Sequence, residues 1–233
     1  MSRAVGRDAP KRIVDAVLEL LLGDGYDAVQ LREVARRAHV SLATVYKLFP
    51  TRDALIVAAL EHWMASNAYP DLSPPMPGET LHDGLMRILR HVFEPWERNP
   101  RMLEAFHRAR TEPGGPRLDA QGFEAVLPVA ARIFGGADPE YVEDVGLVLV
   151  NMSFALIGQV ADGTLEITEM LPILDRVLRR LTGNNVPAAR AAVEGRDEPD
   201  ATLLSGVASA VEAVVDTTRR SQRSEPGSHS AAI

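Results

Sequence analysis

Apolar residues recur at spacings of three and four in segment after segment from Ile13 to Leu181, and glycine or proline closes nearly every such segment. That period follows one face of a helix with about 3.6 residues per turn and conflicts with the alternation of a half-buried strand. The spacing therefore predicts an all-α chain. Asp8 and Pro10 open a first helix with Ile13, Val17, Leu20 and Leu21 on its buried stripe, and Gly23-Asp24-Gly25 ends it, because glycine takes the left-handed backbone that closes helices.

The next stretch, LREVARRAHVSLATVYKLF, reads as two short helices split by a tight turn near His39-Val40. Leu31, Val34, Ala35 and Ala38 make the apolar face of the first. Ser41 is placed to cap the second, its hydroxyl accepting from an unpaired first-turn amide. Val45, Leu48 and Phe49 are the expected buried face, leaving Leu42, Ala43, Thr44, Tyr46 and Lys47 outward or on the flank. A helix of this kind fits the DNA major groove. Thr44 and Tyr46 can reach phosphate, Lys47 offers a mobile cation, and small Ala43 permits close approach. Arg52 falls in the first turn of the following helix, where free amides also favour phosphate. An ordinary helical hairpin with a solvated face has the same spacing, so spacing alone leaves both readings open.

Pro50 interrupts the pattern, Thr51 caps a new helix carrying Leu55, Ala59 and Trp63 toward residue 66, and the proline-rich run from Tyr69 to Gly78 excludes a helix interior. The expected organisation is a flexible arm (1–9), a head with its connector helix (10–66), a larger helical body (67–183), a linker (184–199), one extra helix (200–220) and a disordered tail (221–233). Within the body, helical spacing marks Leu81 to Trp96, a helix after Pro100, Phe123 to Phe134, a long apolar helix capped by Asp138 and reaching Ala161, and Thr168 to Leu181.

The formal net charge is −7, which opposes nucleic-acid binding until its distribution is considered. Residues 1–56 hold nine Lys or Arg against seven Asp or Glu, so the head is basic and the remainder acidic. The chain has no cysteine, which removes disulfides and thiolate chemistry and fits a reducing cytoplasm. Neither a signal peptide nor a run of about 18 apolar residues is apparent, so no membrane span is expected. The six histidines (His39, His62, His82, His91, His107 and His229) show no metal-ligand spacing, and Gly23-x-Gly25-x-x-Ala28 follows a helix rather than the strand a dinucleotide fingerprint needs. No metal, cofactor or enzymatic activity is expected.

The run from Gly25 to Leu55, GYDAVQLREVARRAHVSLATVYKLFPTRDAL, resembles the DNA-binding head of TetR-family transcriptional repressors of bacteria, with their GV-S-x-G-T-x-Y-x-Y-F-x-[ST]-K-x-x-L stretch. The resemblance puts Ser41, Leu42, Ala43, Thr44, Tyr46 and Lys47 at positions that commonly contact operator DNA, and Arg52 at a phosphate-binding lysine position. Ala43 stands for the usual glycine, Leu48 for an aromatic, and Leu31 for a threonine that touches phosphate, which leaves Arg32 as the substitute. It further implies a TetR-like architecture: a three-helix head, and a body that binds a small effector and forms a homodimer through helices near 141–161 and 168–181. In that body Met86, Leu89, Phe93, Trp96, Phe106, His107, Phe123, Leu127, Met152 and Phe154 are candidates to line an apolar effector pocket, with Arg110 or Asn151 orienting the ligand, although core packing uses the same residue types. The alternative is an all-helical ligand-binding or interaction module that never touches DNA.

Overall fold

The structure, a computed structural model, describes residues 8–186. The expected extra helix (200–220) and tail (221–233), and most of the arm (1–9) and linker (184–199), lie outside them. Residues 8–182 belong to one compact unit, built from α-helices and two short 3-10 turns.

The head consists of α1 (Ala9–Gly23), a 3-10 turn (Tyr26–Ala28), α2 (Leu31–Arg37) and α3 (Leu42–Leu48), and the connector α4 (Arg52–Asn67) follows directly. Pro10 in the first turn of α1 fixes a helical φ where an amide would be unpaired anyway. The predicted stripe of α1, Ile13, Val17, Leu20 and Leu21, is buried against α4 and α2. Each such side chain contributes about 1.5–3 kcal/mol of burial. Gly25 supplies the positive φ (87°) that turns the chain from α1 into the 3-10 turn. Thr51 caps α4, its hydroxyl accepting from the Ala54 amide at 3.0 Å.

The body contains α5 (Leu81–Arg98), α6 (Pro100–Ala109), α7 (Pro116–Phe134), α8 (Pro139–Ala161) and α9 (Met170–Thr182). Thr80 caps α5, and the Asp138 carboxylate caps α8 by accepting from the Tyr141 amide at 3.1 Å. Helix α7 starts seven residues before the expected Phe123. Gly114-Gly115-Pro116 resembles a loop in sequence, but proline is at home in a first helical turn, and Leu118 immediately behind it is fully buried.

One hydrophobic core runs from α1 and α4 through Trp96, Met102 and Phe106 to Leu156 and Leu174, so the head and body share their packing. A smaller cluster joins Leu85 and Met86 of α5 to Val145 of α8 and Leu178 of α9. Helix α8 corrects the expectation that no segment is apolar enough to span a bilayer: its length and a mean hydropathy of 1.6 over its most apolar stretch meet that condition, and 17% of that stretch is buried within the chain. Polar residues such as Asn151, Ser153 and Gln159 interrupt any unbroken apolar run in it. Leu147 is 63% exposed on it, and Val148 is exposed as well.

Candidate nucleic-acid interface and effector cavity

Ser41 sets the start of α3. Its Oγ accepts from the Thr44 amide at 3.0 Å and lies 2.8 Å from the Thr44 hydroxyl. The turn before it places Val40 N–H on the Ala35 carbonyl at 3.0 Å, with His39 in the left-handed region (φ 52°). Of the predicted contact residues, Ser41, Ala43, Tyr46 and Lys47 are exposed and Thr44 is half-buried. One assignment is reversed, at Leu48, and Leu42 is a half-buried flank residue. Leu42 packs against the core with Val45 and Phe49, whereas Leu48, expected inside, is 39% exposed. Spacings of three and then four keep residues 42, 45 and 49 within one narrow sector of the helix, and Leu48 falls outside it.

Helix α2 uses most of its positive charge internally. Glu33 accepts from Arg36 at 2.6 and 2.8 Å and from Arg37 at 2.8 Å, and Arg37 reaches Asp24 at 3.0 Å. Those guanidinium bonds hold the Glu33 carboxyl well below its usual range, at about 2. Arg32 is exposed and makes no ion pair among the described residues. The three- and four-residue spacing of Glu33, Arg36 and Arg37 carried this signal. With Arg36 and Arg37 engaged, Arg32 and Lys47 are the head's available outward cations near α3.

Arg52, expected on phosphate, is turned inward. Its Nε donates to the Val29 carbonyl at 2.7 Å and its Nη2 to the Tyr26 carbonyl at 2.6 Å, and its guanidinium lies 4.6 Å from the Tyr26 ring centroid. These carbonyls, at the 3-10 turn and its C-cap, lie within reach and compete with any phosphate. Arg108 of α6 covers Tyr26 at 4.1 Å from the centroid and forms a two-pronged pair with Asp27 at 2.7 and 3.0 Å. Sequence reasoning missed this clasp, which joins positions 81 residues apart.

A cavity of about 430 Å³ lies between α5, α6, α7 and α8. Leu89, Phe93, Trp96, Phe106, Phe123, Leu127 and Phe154 of the predicted set line it, with Leu127 58% exposed. The other five do not. Met86 belongs to the second core cluster, Met152 packs on the main core, and Asn151 faces outward, its amide donating to the Leu147 carbonyl at 2.8 Å. His107 sits beside Gly158 with Nδ1 buried and unpaired, and burial pushes its pKa below the ordinary value. Arg110 stands behind the wall, donating to Asp119 at 2.8 and 2.9 Å with its guanidinium 3.8 Å from the Phe154 ring centroid.

Three polar wall residues, Tyr69, Asp119 and Ser153, were not anticipated. Tyr69 opens the proline-rich run that excludes a helix interior, and Asp119 lies in the first turns of α7, ahead of the expected start at Phe123. Burial raises the Tyr69 pKa well above the ordinary phenol value, so its hydroxyl is protonated. From the cavity an aromatic series leads toward the head: Phe106 lies 5.2 Å from Trp96, and Trp96 lies 4.4 Å from Trp63 on α4.

Comparison with known proteins agrees with this geometry. Residues 13–59 match the family described as bacterial regulatory proteins, tetR family, and residues 78–181 match the tetracyclin repressor-like C-terminal domain. The HTH-type transcriptional repressor KstR of Rhodococcus jostii is 35% identical over 109 residues, covering 47% of this chain and 50% of the relative. KstR of Mycobacterium tuberculosis is 36% identical over 104 residues, covering 44% and 47%. The chain thus spans about half the length of the curated relatives it matches. Among solved structures, a TetR transcriptional regulator from Rhodococcus sp. RHA1 superposes with a TM-score of 0.59 at 22% identity, covering 77% of this chain and 98% of that one.

Proposed function

The chain belongs to the TetR family of bacterial regulatory proteins, and on that footing we propose that it is a homodimeric repressor in the bacterial cytoplasm that binds operator DNA and releases it when an apolar effector fills the cavity. The observation that carries this reading is α3, whose cap fixes its start and whose exposed residues Ser41, Ala43, Tyr46 and Lys47, with half-buried Thr44 on the flank, are of a size and polarity suited to the major groove. Arg32 adds a phosphate contact from α2. The KstR relatives are named transcriptional repressors, and repression is the mode of action carried over from them.

Two heads must sit about 34–36 Å apart to read both halves of a two-fold operator. The exposed stripe of α8 through Leu147, Val148, Asn151 and Ala155 supports pairing of two copies across that helix, flanked by α9. Release follows from α6, which places Phe106 in the cavity wall while Arg108, two residues on, holds the head at Tyr26 and Asp27. An effector that displaces Phe106 shifts α6, and the clasp transmits the shift. The coupling is reciprocal, so operator binding weakens effector binding by the same factor.

Titration of the DNA flanking its own gene against salt, read by fluorescence anisotropy, tests the proposal. Affinity should fall steeply with salt, and Lys47→Ala should lower the logarithmic slope by about one. Absent or salt-independent binding would favour the module that never touches DNA.

A further inference from the structure

Taking the cavity as the effector site, we infer that its effector is an uncharged, largely apolar molecule carrying a hydroxyl or carbonyl oxygen, received by the Tyr69 hydroxyl beside Asp119, and that carboxylates are refused there. Three observations combine. Apart from Tyr69, Asp119 and Ser153, the lining is apolar or glycine, so a ligand's charge would lose its hydration with little to replace it.

The charges near the wall are already balanced against each other. Both oxygens of Asp119 accept from Arg110, and the Arg110 guanidinium lies against the rings of Phe154 and, at 5.7 Å, Phe106. Asp119 reaches the cavity and Arg110 does not. An entering carboxylate therefore meets the anionic end of the pair, and an entering ammonium meets a carboxylate whose charge is already matched. Tyr69 and Ser153 are the remaining hydroxyls in the wall, and Tyr69 is the one close enough to Asp119 to feel its charge. Burial keeps its phenol protonated, so it donates to a neutral oxygen. Gly122 gives it room, since a Cβ there would come within 2.9 Å of the Tyr69 hydroxyl.

The test uses the full chain and three probes of one length, 1-decanol, decanoate and decylammonium at pH 8, followed by fluorescence of the two tryptophans, of which Trp96 lines the cavity. Decanol should bind at least tenfold more tightly than either charged probe. Tyr69→Phe should weaken decanol several-fold, as expected for one hydrogen bond. Asp119→Asn, which leaves Arg110 unbalanced, should bring decanoate ahead of decanol. Decanoate binding as well as decanol to the unaltered chain, or an unchanged response to decanol in Tyr69→Phe, overturns the inference while leaving the cavity as effector site. If none of the probes binds, the cavity assignment and the inference fail together. The unaltered chain and Tyr69→Phe decide the matter even if Asp119→Asn does not fold.

Discussion

His39 holds a left-handed backbone with a Cβ attached, at the position where the family stretch carries glycine. A side chain in that region costs about 1–2 kcal/mol, and histidine tolerates it better than branched residues do. His39→Gly should therefore stabilise the chain by about 1 kcal/mol, a rise in Tm of roughly 2–4 °C, after allowance for the greater freedom of glycine when unfolded. Thermal unfolding followed by circular dichroism checks this, and an unchanged or lower Tm would refute it. The turn itself was legible at His39-Val40, because apolar spacing breaks there. The outward position of Leu48 was not, since a seven-residue helix has too few apolar positions to fix the rotation of its buried face. Arg52 misled for a different reason: its partners are main-chain carbonyls, which leave no trace in residue identity.

At the level of elements, helix positions followed from periodicity and caps, while their long-range contacts did not. Arg108 and Asp27 are an unremarkable cation and anion 81 residues apart, and only the approach of α6 to the 3-10 turn brings them together. The cavity was half legible. Its aromatic members follow from helix faces, whereas Tyr69 and Asp119 lie in stretches where proline and glycine obscured the periodicity. Asp27 is exposed, so its ion pair with Arg108 is screened by solvent and holds the turn in place more than it stabilises the fold. Arg108→Ala should accordingly speed amide exchange across residues 26–30 several-fold while leaving α9 unchanged. Hydrogen exchange with mass analysis distinguishes this from general loosening, which would accelerate α9 too.

At the level of the molecule, the apolar face of α8 marks an unfinished surface. A lone soluble chain rarely presents a long helix of mean hydropathy 1.6 with so little of it covered. If two copies pair there, Leu147→Glu should convert dimer to monomer in sedimentation measurements with little change in helix content, because Leu147 is 63% exposed within the single chain. A dimer that survives the substitution would place the interface elsewhere. The all-helical class and the basic head on an acidic body were legible from spacing and charge, but the unity of the two parts was not, since the proline-rich run separates head from body in sequence and the packing shows no such break.

That shared core bears on how such regulators can be recombined. Heads and bodies look interchangeable in sequence, with a natural cut after residue 66. Here the cut would strip Trp63 of Trp96 and Tyr26 of Arg108. A chimera made at that point inherits two halves of different seams. A workable exchange has to move the α6 surface along with the head, so these specificities are inherited as a pair.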